Sequence, residues 1–123
     1  MTGDEITLTI PREEPFHGVA HIVLGGVAAR LNLTFEHIDD LETALDAVLE
    51  RASRNGEITV KLKIDEGAIS ASVGPLPVDA VRAELEGEPG EGVTLRRILD
   101  TVVDGYALDD DGWLELRKDM EAV

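Results

Sequence analysis

Cysteine is missing altogether from this chain of 123 residues. Disulfides, thiolate metal sites and cysteine nucleophiles are thereby excluded. Basic residues are scarce: 11 Lys+Arg stand against 26 Asp+Glu, a formal net charge of −15 at pH 7. So acidic a chain repels phosphate backbones and anionic bilayers, so neither nucleic acid nor a membrane is expected as a partner. A basic protein partner fits the charge better. Long hydrophobic runs are also lacking. The longest, Ile22 to Ala29, falls far short of the roughly 20 residues of a membrane span. The opening MTGDEITLT is acidic and polar, without the basic start and apolar run of a signal peptide. A cytoplasmic protein is expected.

What is present is a globular composition, 43% hydrophobic, too apolar for a disordered acidic tail. The length suits one domain over 1–123. Ile6, Leu8 and Ile10 alternate with threonines and predict a strand wet on one face. Phe16 to Leu31 is apolar at helical spacing through Val19, Ile22, Val23, Val27 and Leu31. Gly25 and Gly26 inside it either weaken a helix or let it pack closely on something. Ile38, Leu41, Leu45, Val48 and Ala52 form the stripe of a second helix, stopped at Asn55-Gly56. The period then becomes two: Ile58, Val60, Leu62 and Ile64, a turn at Asp65-Glu66-Gly67, then Ile69, Ala71 and Val73 make a hairpin. A loop from Gly74 to Gly92 surrounds a short helical candidate, Val78 to Leu85. Val93 to Val103 is a further helix, and Tyr106 to Leu116 a closing hairpin turned at Asp109 to Gly112. Strands that alternate leave one dry face, which the helices must share. The expected fold is α+β, a two-layer sandwich with a mixed, mostly antiparallel sheet and helices on one face.

This order resembles the anti-sigma-factor serine kinases, a branch of the histidine-kinase-like (GHKL) ATPases. The likeness runs along most of the chain. ITLTIPREEPFHGVAHIVLGGVAARLNLTFEHIDDLETALDAVLERA is similar to the family's opening strand and first two helices, GEITVKLKIDEGAISASV to its central hairpin, and GVTLRRILDTVVDGYALDDDGWLELRKDM to its closing helix and hairpin. The resemblance implies three nucleotide motifs. The family's second helix carries Glu-x-x-x-Asn, a general base and a magnesium ligand, and here Ala47 and Arg51 stand at those places. Alanine accepts no proton, and arginine does not ligate a hard cation. After the central hairpin the family has an Asp that reads adenine, then a Gly two residues on; Pro75 and Pro77 stand there. The glycine-rich lid that cradles phosphates corresponds to Gly87, Gly90 and Gly92, with Thr94 where the family usually has glycine or a bulky residue. Glu86, Glu88 and Glu91 would repel a triphosphate there.

Other pairings are open to a plainer reading. Asp46 and Glu50 could bind a cation as an i,i+4 pair or form a solvated helix face. Asp79 lies near the adenine position but off register. His17 and His21 lie four apart, a spacing that suits zinc, but no Cys or obvious third ligand accompanies them, and interface or surface histidines are expected. His37 reads as a surface residue. Asp109-Asp110-Asp111-Gly112 lacks the spacing of a calcium loop and reads as a hairpin turn. No metal site is expected. Phe16 and Phe35 are expected to seal core edges. Trp113 falls on the wet face, as an interface anchor or packed across strands against Tyr106 or Lys.

The resemblance then implies a regulatory protein-binding domain of the anti-sigma-factor type, without catalytic residues. It would act by occupancy on a sigma factor or a STAS-domain anti-anti-sigma protein in partner switching, and a homodimer is possible within the family's habits. Phe16, Val19, Val23, Gly26 and Trp113 are the candidate contact residues. Glu13, Glu14, Asp39, Asp40 and Glu42 would steer a basic partner. No cofactor is expected on this reading. The alternatives are a divergent ATP-binding serine kinase, with ATP and magnesium, that rebuilt its site from Asp46, Glu50 or Asp79, and an oligomeric scaffold.

Overall fold

Period-two alternation draws Ile6, Leu8 and Ile10 to one side of β1 (Glu5–Pro11), leaving Glu5, Thr7 and Thr9 in water. The computed structural model describes residues 5–11, 13–31, 35–52, 56–65, 67–86 and 94–119. After β1 a 3-10 turn, Glu14–Phe16, leads into α1 (His17–Leu31), and α2 (Phe35–Glu50) follows. Then come β2 (Glu57–Asp65), β3 (Ala68–Gly74), α3 (Val78–Glu86), α4 (Leu95–Val102), β4 (Gly105–Leu108) and β5 (Leu114–Asp119).

The five strands lie in the order β1-β2-β3-β5-β4. All four pairings are antiparallel, with Leu8 opposite Val60, Leu62 opposite Ala71, and Ala71 also opposite Leu116. These matched registers place every inward apolar residue on one face. Val60, Leu62, Ile69, Ala71, Val73, Leu114 and Leu116 are buried there against Leu24, Leu41, Leu45, Val48, Val81, Leu95 and Leu99 of the helices. The opposite face carries Thr59, Lys61, Lys63, Ser70, Ser72 and Glu115; on it the Thr9 and Thr59 hydroxyls meet across strands at 2.9 Å. This is the expected α+β sandwich.

The helix starts and stops have local causes. Thr94 caps α4: its hydroxyl accepts from Arg97 N–H at 3.2 Å. At the other end Lys118 reaches past the core to Val102 O (3.0 Å) and Asp40 (3.0 Å), so a cation sits on the C-terminal dipole of α4. Val93, the expected first residue of that helix, lies outside the described residues.

Two expectations are overturned. Ile22 was placed inward by its spacing, but it is 76% exposed, and Ala20 and Leu24 take the core side of α1. Phe16 does not seal a core edge; it is 42% exposed. The first departure has a local cause: α1 is apolar on every side, so its sequence holds no stripe to orient it; Phe16 lies in the 3-10 turn before that helix.

Candidate functional site

The end of α2, the last turn of α3 and the first turn of α4 converge on one carboxylate. Arg51 closes α2, its Nη1 donating to Ala47 O at 3.0 Å, where the helix dipole favours a cation. Its Nε donates to Glu84 Oε2 at 3.1 Å and its Nη2 to Glu84 Oε1 at 3.3 Å. The backbone N–H of Leu95 also donates to Glu84 Oε1, at 3.2 Å. Glu84 thus receives a two-pronged guanidinium and a helix N-terminal amide at once. Partial burial raises its pKa, but Arg51 and the Leu95 amide outweigh burial and hold it below the ordinary carboxylate value. The Arg51 side chain is 21% exposed and that of Glu84 32%. One turn before Arg51, Ala47 is 5% exposed and belongs to the core.

The loop after β3 is held just as firmly. Leu76 N–H donates to Gly112 O at 2.8 Å, and a Cβ on Gly112 would stand 2.5 Å from Leu76 O. Gly74 lies under the indole of Trp113, with an added Cβ at 2.7 Å from the ring. Lys61 Nζ sits 4.8 Å from the centre of that ring. The indole is therefore engaged within its own sheet, by the cross-strand packing that was one of its two readings. Pro75 is exposed, and Pro77 O accepts the Val81 N–H that begins α3. Asp109 makes the last turn: its Oδ1 accepts from the Asp111 and Trp113 amides, each at 2.9 Å.

The chain is similar to serine-protein kinase RsbW. It is 26% identical to the Bacillus subtilis protein over 78 residues, covering 58% of this chain and 49% of that relative. It is 30% identical to the Oceanobacillus iheyensis protein over 77 residues (57% and 49%), and 29% to that of Listeria innocua over 77 residues. The match thus spans about half the length of these curated relatives. No family model matches the chain. The likeness drawn from sequence to serine kinases agrees with these relatives.

Of the positions aligned to the family's nucleotide motifs, Ala47 and Arg51 lie together at the end of α2 and Thr94 at the start of α4, next to the Leu95 amide that Glu84 joins to Arg51. Pro75 and Pro77 belong to the loop fastened under Trp113 and Gly112. Gly87, Gly90 and Gly92, with Glu88 and Glu91, lie outside the described residues; Glu86 and Asp79 are exposed on α3. Glu84 escaped sequence reading, because a lone Glu in a polar helix carries no sign of a partner 33 residues away.

A second cluster joins α1 to α2. His21 Nε2 is 2.5 Å from Asp46 Oδ1, and its Nδ1 is 3.6 Å from Glu42 Oε2. Burial lowers the His21 pKa, but the two carboxylates outweigh it and raise the pKa above the ordinary histidine value. The pair bounds a cavity of about 800 Å³ lined by Glu13, His17, Gly18, His21, Asp46, Leu49, Glu50 and Ala52. His37 is half-buried on α2. Among the described residues, no group of three or more His, Asp or Glu is placed to hold a metal. No described helix is long and apolar enough to cross a membrane. Of the contact candidates on α1, Phe16 and Gly26 are exposed, whereas Val19 and Val23 pack against the core.

Proposed function

We infer that this chain is a non-catalytic binding module of the anti-sigma-factor type, related to a serine kinase but acting by occupying a protein partner. The observation that carries the reading is the bridge from Arg51 through Glu84 to the Leu95 amide. Under the resemblance, the end of α2 would hold magnesium and the start of α4 the nucleotide phosphates. In this chain the first position is a cation, and both positions are already joined to an internal carboxylate. An incoming triphosphate would have to displace Glu84 and meet its charge. Ala47, at the place of the general base, is a buried methyl group and can take no proton from a serine.

The partner class follows from the relatives and the charge. A sigma factor or a STAS-domain protein is the partner the resemblance implies, and a chain with 26 acidic residues steers a basic face toward it. The name of the relatives favours a second reading, a divergent serine-protein kinase working with ATP and magnesium.

Incubation with labelled ATP, magnesium and a purified STAS-domain protein separates the two. The binding module transfers no label and forms its complex equally with or without nucleotide. Label on a STAS serine would establish the kinase.

A further inference from the structure

The helix α1 is weakly held for its length. Three of its 15 residues are glycine, the least favourable ordinary residue in a helix interior. A Cβ added at Gly18, Gly25 or Gly26 would meet nothing within 4 Å among the described residues. Ala20, Leu24 and Val27 are its buried residues, whereas α2 buries apolar side chains along its whole length from Ile38 to Leu49. Its main neighbours are α2 and the edge strand β1, so it lies at the margin of the helical layer. An element so placed can open without unfolding the rest.

The seam between α1 and α2 is not closed by apolar packing throughout. The cavity of about 800 Å³ lies along it, with Glu13, His17, His21, Asp46 and Glu50 on its polar side. At its wall His21 reaches from α1 to α2. Its Nε2 is 2.5 Å from Asp46 Oδ1 and its Nδ1 3.6 Å from Glu42 Oε2. The His21 and Glu42 side chains are 28% and 29% exposed, so solvent screens them only in part.

The strength of this tie depends on one proton. An imidazolium donates from both ring nitrogens, one toward each carboxylate; a neutral imidazole has a single N–H and turns a lone pair on the other. Glu42, Asp46 and Glu50 recur four apart on α2, and Glu13 comes from the segment before α1. Among the described residues the basic groups at the seam besides His21 are His17, one turn earlier on α1, and Arg51, 3.4 Å from Glu50 and held by Glu84. Burial lowers the His21 pKa, but Asp46 and Glu42 outweigh it and raise the value above 6.5. The tie is therefore fully made below the unfolded value and lost as pH rises through the folded one.

We propose that His21, gripped between Glu42 and Asp46, is a proton-operated clasp: protonated, it ties α1 to α2, and on losing the proton it lets α1 open as a unit while the sheet and the other helices stay folded. The opening bares Ala20, Leu24 and Val27, so exposure of this apolar side follows pH across the neutral range. The clasp is independent of the Arg51–Glu84 bridge, which joins α2 to α3 and α4.

The test is hydrogen exchange of the whole chain, read residue by residue by NMR in low urea at pH 6 and pH 8 and corrected for the intrinsic pH dependence of exchange. The Leu24 and Val27 amides should exchange through an opening that urea hardly changes, whereas those of Leu62, Ala71 and Leu116 should need global unfolding. The opening constant of α1 should rise about fivefold from pH 6 to pH 8. His21→Gln should make it equal at the two pH values, and Asp46→Asn should shrink the rise. His17→Gln, which removes the other histidine at the cavity, should leave the rise in place. Amides of α1 that share the protection and urea slope of the sheet would overturn the proposal, since α1 would then open only with the whole domain. So would an opening constant that does not change with pH in the wild type, a rise that survives in His21→Gln, or one that vanishes in His17→Gln.

Discussion

Arg51 grips Glu84 with two nitrogens, at 3.1 and 3.3 Å, across 33 residues of sequence. The bridge fastens α3 to the end of α2 and, through the Leu95 amide, to the start of α4. Glu84→Gln keeps the shape and removes the charge. It should cost about 1 kcal/mol in urea unfolding, and a double-mutant cycle with Arg51→Ala should give coupling of the same order. Because the folded pKa of Glu84 is depressed, its stabilisation is present above the unfolded carboxylate value and lost as pH falls through the folded one. Glu84→Gln should flatten that acid limb.

His21 should produce the opposite slope. Its folded pKa is raised by Asp46 and Glu42 against the effect of burial. The stabilisation is complete below the unfolded value of about 6.5 and is lost as pH rises through the folded value. Chemical denaturation at pH 6 and at pH 8 should therefore show the wild type losing about 1 kcal/mol relative to His21→Gln across that interval.

The glycines divide into those the fold needs and those it does not. Gly112 has φ +91°, and its Cβ would strike a carbonyl oxygen that cannot swing away. Gly112→Ala should cost about 1–3 kcal/mol. Gly74→Ala should also destabilise by displacing the Trp113 ring, read as a shift in indole fluorescence. Gly26→Ala, whose added Cβ meets nothing within 4 Å among the described residues, should stabilise by about 0.5–1 kcal/mol. Thermal melting of the three proteins gives the ordering directly.

A carboxylate placed at residue 47, which the resemblance aligns with the general base, should not confer kinase activity. Ala47 is 5% exposed within the core, and Ala47→Glu would bury an unpaired charge. A loss of about 3–5 kcal/mol is expected, with no gain of ATP turnover.

The strands, α2 and the Asp-Gly turn were legible because their periodicity and turn chemistry are local. The strand alternation alone placed all helices on one face. α1 was not legible in the same way: a helix apolar on every side does not say which way it faces, and Ile22 was drawn inward for that reason. Ala47, Arg51, Pro75 and Pro77 could be picked out only through resemblance, since none announces chemistry by itself. Glu84 and the His21–Asp46 pair depend on helices brought together by the core, and no spacing along the chain encodes such a meeting.

In the proposed function the carboxylate of Glu84 holds the place a nucleotide would need. Isothermal titration of the intact chain with magnesium-ATP tests it most directly. No heat of binding is expected up to millimolar nucleotide, with an unchanged melting temperature in the same samples. A micromolar dissociation constant for the wild-type chain would contradict it.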